Sequence, residues 1–147
     1  MIWEHTTFGD PSVNFLAWAR FDSNKVLVET GKTPRDQEAF LVILGGLCPR
    51  VIMERPYIQQ VDPTKRKGRA TQEDVQELCI AAGEYAGRFK YRRYDYPYTL
   101  NKDLRHKRAL EALTAQELRT ISKLKTHRAH VLCAVYMGLR ETGRIRA

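Results

Sequence analysis

Val13-Asn14-Phe15-Leu16-Ala17-Trp18-Ala19-Arg20-Phe21 decides the fold. In an extended chain, Phe15, Ala17, Ala19 and Phe21 fall on one face, because successive side chains point to opposite sides. The polar turn Asp22-Ser23-Asn24-Lys25 leads into a second run, Val26-Leu27-Val28-Glu29-Thr30, and the pair reads as a β-hairpin. Upstream, Thr6-Thr7-Phe8 is a poorer strand that ends in the turn Gly9-Asp10-Pro11-Ser12. Downstream, Thr33-Pro34 predicts a helix start: Thr caps and Pro takes the first position. Phe40, Leu41 and Leu44 would form its buried stripe, and Gly45-Gly46 would end it. Arg50-Val51-Ile52-Met53-Glu54 is apolar without alternation, as expected of a strand inside a sheet covered on both faces.

The rest of the chain supplies the covering layers. Residues Tyr57 to Ala70 make a long polar connection containing Lys65-Arg66-Lys67-Gly68-Arg69. Thr71-Gln72-Glu73-Asp74 resembles a capping box, and Val75, Leu78, Cys79, Ala82 and Tyr85 follow at helical spacing. Arg88 to Tyr96 reads as a strand in which Phe89 and Tyr91 alternate with basic residues, Arg92 and Arg93 among them. Asn101 to Leu113 and Thr114 to Leu124 read as two short helices, the second opened by a Thr114–Glu117 capping box. Ala129 to Leu139 is apolar nearly all round, the mark of a buried helix. The order predicts a single α/β domain over residues 1–147, with an antiparallel hairpin beside parallel strands and helices on both faces.

Composition narrows the function. The 147 residues carry a net charge of +8, with a sequence pI near 9.6. The charge is lopsided: residues 1–63 have a net of −2 and residues 64–147 a net of +10. An acidic half suited to metal and a basic half suited to phosphate fit a protein that acts on nucleic acid. Generic solubility, ribosomal RNA or an anionic membrane surface would also account for the charge alone. No apolar stretch approaches the roughly 18 residues of a transmembrane helix. The start Met1-Ile2-Trp3-Glu4-His5 lacks the basic and apolar regions of a signal peptide. Cys48, Cys79 and Cys133 are odd in number and widely spaced, which predicts reduced thiols in a cytoplasmic protein.

Asp10 and Glu54 stand at strand ends, where a carboxylate has little reason to sit unless a cation meets it. In so basic a chain, a divalent metal is the cation to expect. The ordered set of motifs resembles the RuvC branch of the ribonuclease-H-like superfamily, the Holliday-junction resolvases, and most closely the small phage or poxvirus versions. Gly9-Asp10-Pro11-Ser12 with Leu16-Ala17-Trp18-Ala19 resembles that family's first motif. Val51-Ile52-Met53-Glu54-Arg55-Pro56 resembles the second, and His130-Val131-Leu132-Cys133-Ala134 the last. The resemblance spans nearly the whole chain, and it implies a ribonuclease-H-like mixed sheet and a structure-selective endonuclease that cuts four-way DNA junctions. It also implies a homodimer and two Mg²⁺ or Mn²⁺ ions.

Two-metal hydrolysis needs oxygen ligands that hold ions about 4 Å apart, one ion activating water and the other stabilising the leaving oxygen. The resemblance implies that Asp10 is shared between metals and Glu54 holds one. Spacing of three places His130 and residue 133 on one helix face, and the resemblance implies that His130 orients or deprotonates the attacking water. Lys102 would correspond to the family's basic residue near the scissile phosphate. Lys65, Arg66, Lys67 and Arg69, with Arg92 and Arg93, are the expected DNA contacts.

Each assignment has a plainer rival. Asp10 could be only a turn residue, Glu54 the partner of a structural cation, His130 a satisfied core histidine, and Lys102 a solvated helix start. Asp74 reads as a helix-capping residue. Cys133 departs from the family pattern, which has a carboxylate there; a thiol is a poor ligand for hard Mg²⁺. The chain is then either an enzyme working with fewer carboxylates, or a binding-only relative that recognises branched nucleic acid, or one carrying an introduced change. A ribosomal-RNA-processing nuclease is a further alternative.

Overall fold

The computed structural model describes residues 5–35, 50–54, 72–87, 91–95, 102–124 and 128–146, with the backbone alone for Gln72, for residues 91–95 and for Lys102. Nine elements follow in chain order: β1 (Thr6–Pro11), β2 (Phe15–Phe21), β3 (Leu27–Pro34), β4 (Arg50–Glu54), α1 (Gln72–Ala86), β5 (Tyr91–Asp95), α2 (Lys102–Ala112), α3 (Ala115–Ser122) and α4 (Arg128–Glu141). The strands form one sheet in the order β3-β2-β1-β4-β5. β1, β2 and β3 pair antiparallel, while β1 with β4 and β4 with β5 pair parallel. The α/β class, the antiparallel hairpin and the parallel strands all match the sequence expectation. Among the described residues no helix is long and apolar enough to cross a membrane.

Period-2 alternation sorts the side chains into two cores. Phe8, Ala17, Ala19, Phe21 and Ile52 pack against α4 and the neighbouring α2 and α3 through Val131, Val135, Leu139, Ala109 and Ile121. Leu16, Trp18, Val51 and Met53 face the other way, onto Ala81, Ala82, Tyr85 and Ala86 of α1. The central strands are therefore covered on both faces, which is why β4 is apolar without alternation. Helix α4 is buried from Val131 to Leu139, as its all-round apolar sequence requires. It comes close to the sheet at Gly138, where an added Cβ would lie 2.7 Å from Phe21 Cδ2 and Cζ.

Two expectations fail. Gly9, Asp10 and Pro11 are not turn residues but continue β1, opposite Trp18, Ala17 and Leu16, because the ladder with β2 extends past Phe8. Thr33-Pro34 does not start a helix; it ends β3, with Thr33 opposite Leu16 and Pro34 opposite Phe15. Cross-strand partners outweigh the local capping signal. The Trp18 indole N–H donates to Thr33 Oγ1 at 3.0 Å, and Gly31 lies against the Trp18 ring, where a Cβ would be 2.8 Å from Cζ2. Arg20 and Glu29 form an ion pair across the same ladder. Pro34 is tolerated because β3 is an edge strand. The stripe Phe40, Leu41, Leu44 and the Gly45-Gly46 end lie outside the described residues, as do the Tyr57 to Ala70 connection and Thr71.

The capping box at α3 is formed as its sequence predicts. Glu117 N–H donates to Thr114 Oγ1 at 3.2 Å, and Thr114 N–H donates to Glu117 Oε1 at 3.0 Å. Glu117 has a second task. Its Oε2 accepts the Leu27 N–H at 2.7 Å, and both carboxylate oxygens meet the Arg144 guanidinium at 2.6 Å. Arg144 also donates to the carbonyls of Ala112 and Lys25. This clamp ties the start of β3, the start of α3 and the segment after α4 together. Cys79 and Cys133 are free thiols; Cys48 lies outside the described residues.

Candidate active site

Strands β1 and β4 run parallel in the register Thr7–Val51, Phe8–Ile52, Gly9–Met53. The next residue on each strand is Asp10 and Glu54. By alternation Asp10 shares the face of Phe8, and Glu54 that of Ile52. Phe8 and Ile52 both belong to the core beneath α4. The two carboxylates thus stand side by side at the same sheet end, on the face that α4 and α2 cover. Glycine at position 9 leaves room on the opposite face for the Leu16 and Met53 side chains, since an added Cβ would meet Leu16 Cδ1 at 2.9 Å and Met53 Cγ at 3.3 Å.

The turn after β1 is held rigidly. Ser12 N–H donates to the Phe15 carbonyl, and the Tyr85 hydroxyl of α1 donates to the Ser12 carbonyl at 2.9 Å. Arg35 donates to the Val13 carbonyl and forms a two-pronged ion pair with Glu84 of α1. Asp10 therefore projects from a strand end fixed from both sides.

Asp10 meets His130. The His130 Nδ1 lies 3.0 Å from Asp10 Oδ2, across 120 residues of chain. With Asp10 ionised, Nδ1–H is the donor, so a neutral ring carries its acceptor lone pair on Nε2. Phe15 packs edge-on against the imidazole at 5.4 Å and fixes its plane. His130 is part-exposed on the first turn of α4, and Asp10 is mostly buried.

Glu54 meets a cation that its own sequence neighbourhood does not announce. Arg105 Nη1 of α2 lies 3.7 Å from Glu54 Oε1, and the Arg105 side chain is only 7% exposed. Its Nε has no hydrogen-bond partner among the described residues. The next residue, His106, places Nε2 3.3 Å from the sulfur of Cys133, which is buried. The signal for Arg105 was in the sequence. It occupies the stripe Arg105, Ala109, Leu113 at spacings of four, where an apolar residue belongs. Nothing local marks His106.

The remaining expected residues divide as follows. Lys102 opens α2, and Arg92 and Arg93 lie on β5 beside Val51 and Ile52. Lys65, Arg66, Lys67 and Arg69 lie outside the described residues. His130 and Cys133 are one turn apart on α4, but His130 reaches Asp10 while the Cys133 sulfur lies against His106. Among the described residues no three His, Cys, Asp or Glu side chains cluster closely enough to hold a metal ion together. The Asp10 carboxylate, with the His130 imidazole beside it, suits one divalent cation that completes its shell with water. The Glu54 side already faces a guanidinium, and the Cys133 thiol is soft; that side does not fit a second hard ion.

No family model matches the chain and no curated protein resembles it in sequence. Among solved structures, the chain is similar to T. thermophilus RuvC in complex with a Holliday junction substrate, with a TM-score of 0.50 and 15% identity. The match covers 96% of this chain and 97% of that one, so it concerns the whole architecture. With its mixed sheet and helices on both faces, the chain has an α/β fold of the RuvC, ribonuclease-H-like kind, at a distant remove.

Proposed function

We propose that this protein is a divalent-metal-dependent endonuclease that cuts branched DNA, four-way junctions above all. The observation that carries the reading is the pairing of Asp10 and Glu54 on neighbouring parallel strand ends, with His130 of α4 hydrogen-bonded to Asp10. The fold match adds to it, since the RuvC structure was determined with a Holliday junction substrate.

In phosphodiester hydrolysis a water oxygen bonds to phosphorus, one P–O ester bond breaks, and the departing oxygen takes up a proton. Bound Mg²⁺ or Mn²⁺ would supply Lewis acidity toward the phosphate and the water. Asp10 would hold the ion. His130, oriented through its Nδ1–H on Asp10, would accept the water proton at Nε2. Lys102, Arg92, Arg93 and the run Lys65 to Arg69 would carry the DNA backbone. A homodimer would give two symmetric cuts in a two-fold junction.

The test is incubation of the protein with labelled junction, duplex and single-stranded DNA and structured RNA, with and without Mg²⁺ or Mn²⁺. Metal-dependent nicking of the junction, absent in Asp10→Asn, is expected. A second reading, a binding-only relative, is favoured by the thiol at Cys133 and the guanidinium at Glu54. Tight junction binding without cutting under any metal would establish it. Preferential cutting of structured RNA would instead point to an RNA-processing nuclease.

A further inference from the structure

Helix α2 is solvated on one face and buries the stripe Arg105, Ala109 and Leu113 on the other, and Arg105 is the charge in that stripe. Asp103, Leu104, Lys107, Arg108 and Glu111 are exposed, but Arg105 is 6% exposed and turned toward the sheet end. Taking a guanidinium out of water is costly unless a carboxylate and hydrogen bonds compensate it. Here compensation is incomplete. The Glu54 contact, at 3.7 Å, is longer than a hydrogen bond, and Nε–H is left without a partner among the described residues. A guanidinium cannot shed its charge, and it offers five N–H groups in a planar fork that suits carboxylates and phosphates. A buried, permanently charged fork beside the Glu54 carboxylate, with its Nε–H to spare, can take an oxyanion oxygen.

We propose that Arg105 is the resident cation on the Glu54 side of the site: it counter-charges Glu54 and presents N–H to a phosphate oxygen of the nucleic acid, so that the chain uses one divalent ion, at Asp10, in place of two. This rests on the nuclease reading. Two further observations support it. The position that would complete a second oxygen-ligand set is Cys133, and its sulfur is engaged by His106, the residue next to Arg105. A hard ion gains little from that thiol. The charges also suit one ion: two carboxylates face one guanidinium and one divalent cation, and the excess positive charge meets the phosphate.

Counting metal tests this apart from activity. Mn²⁺ bound to the full-length, DNA-free protein is titrated by electron paramagnetic resonance, and nicking is followed against Mn²⁺ concentration. One Mn²⁺ per chain is expected, with a non-cooperative metal dependence of nicking. Arg105→Gln removes the positive charge beside Glu54, so Mn²⁺ should bind roughly tenfold tighter or in two copies. Its nicking at saturating Mn²⁺ should fall roughly 100-fold, the scale for loss of a donor to a developing oxyanion. Arg105→Lys should keep the single Mn²⁺ and its affinity, because the charge is kept. If Arg105→Gln does not fold by circular dichroism, the wild-type count and Arg105→Lys decide. Two coupled Mn²⁺ in the wild type would overturn the proposal and leave the nuclease reading intact. No Mn²⁺ together with no cutting would overturn both. Unchanged Mn²⁺ affinity in folded Arg105→Gln would remove Arg105 from the site's charge balance.

Discussion

At the scale of single residues, the site is a set of pairs: Asp10 with His130, Glu54 with Arg105, and Cys133 with His106. Asp10→Asn keeps the shape of the side chain and removes its charge. Cutting should disappear while the junction dissociation constant, measured by gel shift, changes less than about threefold, because the basic surface carries the binding. His130→Ala should lower the nicking rate by on the order of 100-fold, the usual scale for losing a general base. Cys133→Asp should lower the Mg²⁺ concentration needed for half-maximal nicking, because it adds an oxygen ligand beside the site. It should also lower the melting temperature, since a carboxylate placed at a buried position is compensated only if His106 is protonated. If Cys133→Asp cuts more slowly at every Mg²⁺ concentration, the thiol has a role of its own.

At the scale of elements, the Glu117–Arg144 clamp joins α3 to the hairpin and to the segment after α4. Burial pushes the Glu117 carboxyl up, but hydrogen bonds from Arg144 and from the Thr114 and Leu27 N–H groups outweigh it and hold its pKa at about 2, below the ordinary 4.5. A depressed carboxylate pKa contributes stability that is fully present above pH 4.5. That contribution is lost as the pH falls from 4.5 toward 2, and it is on the order of 2 kcal/mol. Urea unfolding followed between pH 6 and 2.5 should therefore show stability dropping across that window, with a smaller drop in Glu117→Gln. A second element-scale test is Gly138→Ala. Alanine favours a helix by up to about 1 kcal/mol over glycine, yet here its methyl would press into the ring of Phe21. That ring is fully buried and packed edge-on against Phe8 at 5.6 Å, so it has no room to swing aside. Net destabilisation of roughly 1–3 kcal/mol, the range for an overpacked core, is expected in thermal melts.

For the whole molecule, charge asymmetry governs. A net of +8, concentrated after residue 63, should make junction affinity fall steeply with salt. For every phosphate the protein no longer neutralises, the slope of log K against log salt becomes shallower by roughly one. Replacing Lys65, Arg66, Lys67 and Arg69 with Ala should therefore weaken binding and flatten that slope in fluorescence anisotropy. An unchanged slope would take this basic run off the DNA path. The exposed edge of the sheet is also managed at this scale. Strand β3 lies at the edge, and α3 covers it: Glu117 accepts the Leu27 N–H, and Thr30 Oγ1 donates to the Thr120 carbonyl at 3.1 Å.

Sequence by itself determined the features that local repetition and local hydrogen bonds encode. Alternation set the strand Phe15–Phe21 and its two faces, continuous apolarity marked β4 and α4 as buried, and Thr114 with Glu117 announced a capping box that formed as written. It also picked out Asp10 and Glu54 as acids at strand ends, though not the neighbours that meet them. Tertiary structure alone decided the rest. Thr33-Pro34 carried a sound local signal for a helix and became a strand end, because Trp18, 15 residues earlier, supplied a cross-strand donor. Glu117 became a clamp as well as a cap through Leu27, 90 residues away, and through Arg144. Arg105 was visible only as a charge in an apolar stripe; which carboxylate it meets follows from how α2 packs beside α4 at the end of β4. Such partners are set by packing between distant segments, whose pairing leaves no periodic trace along the chain.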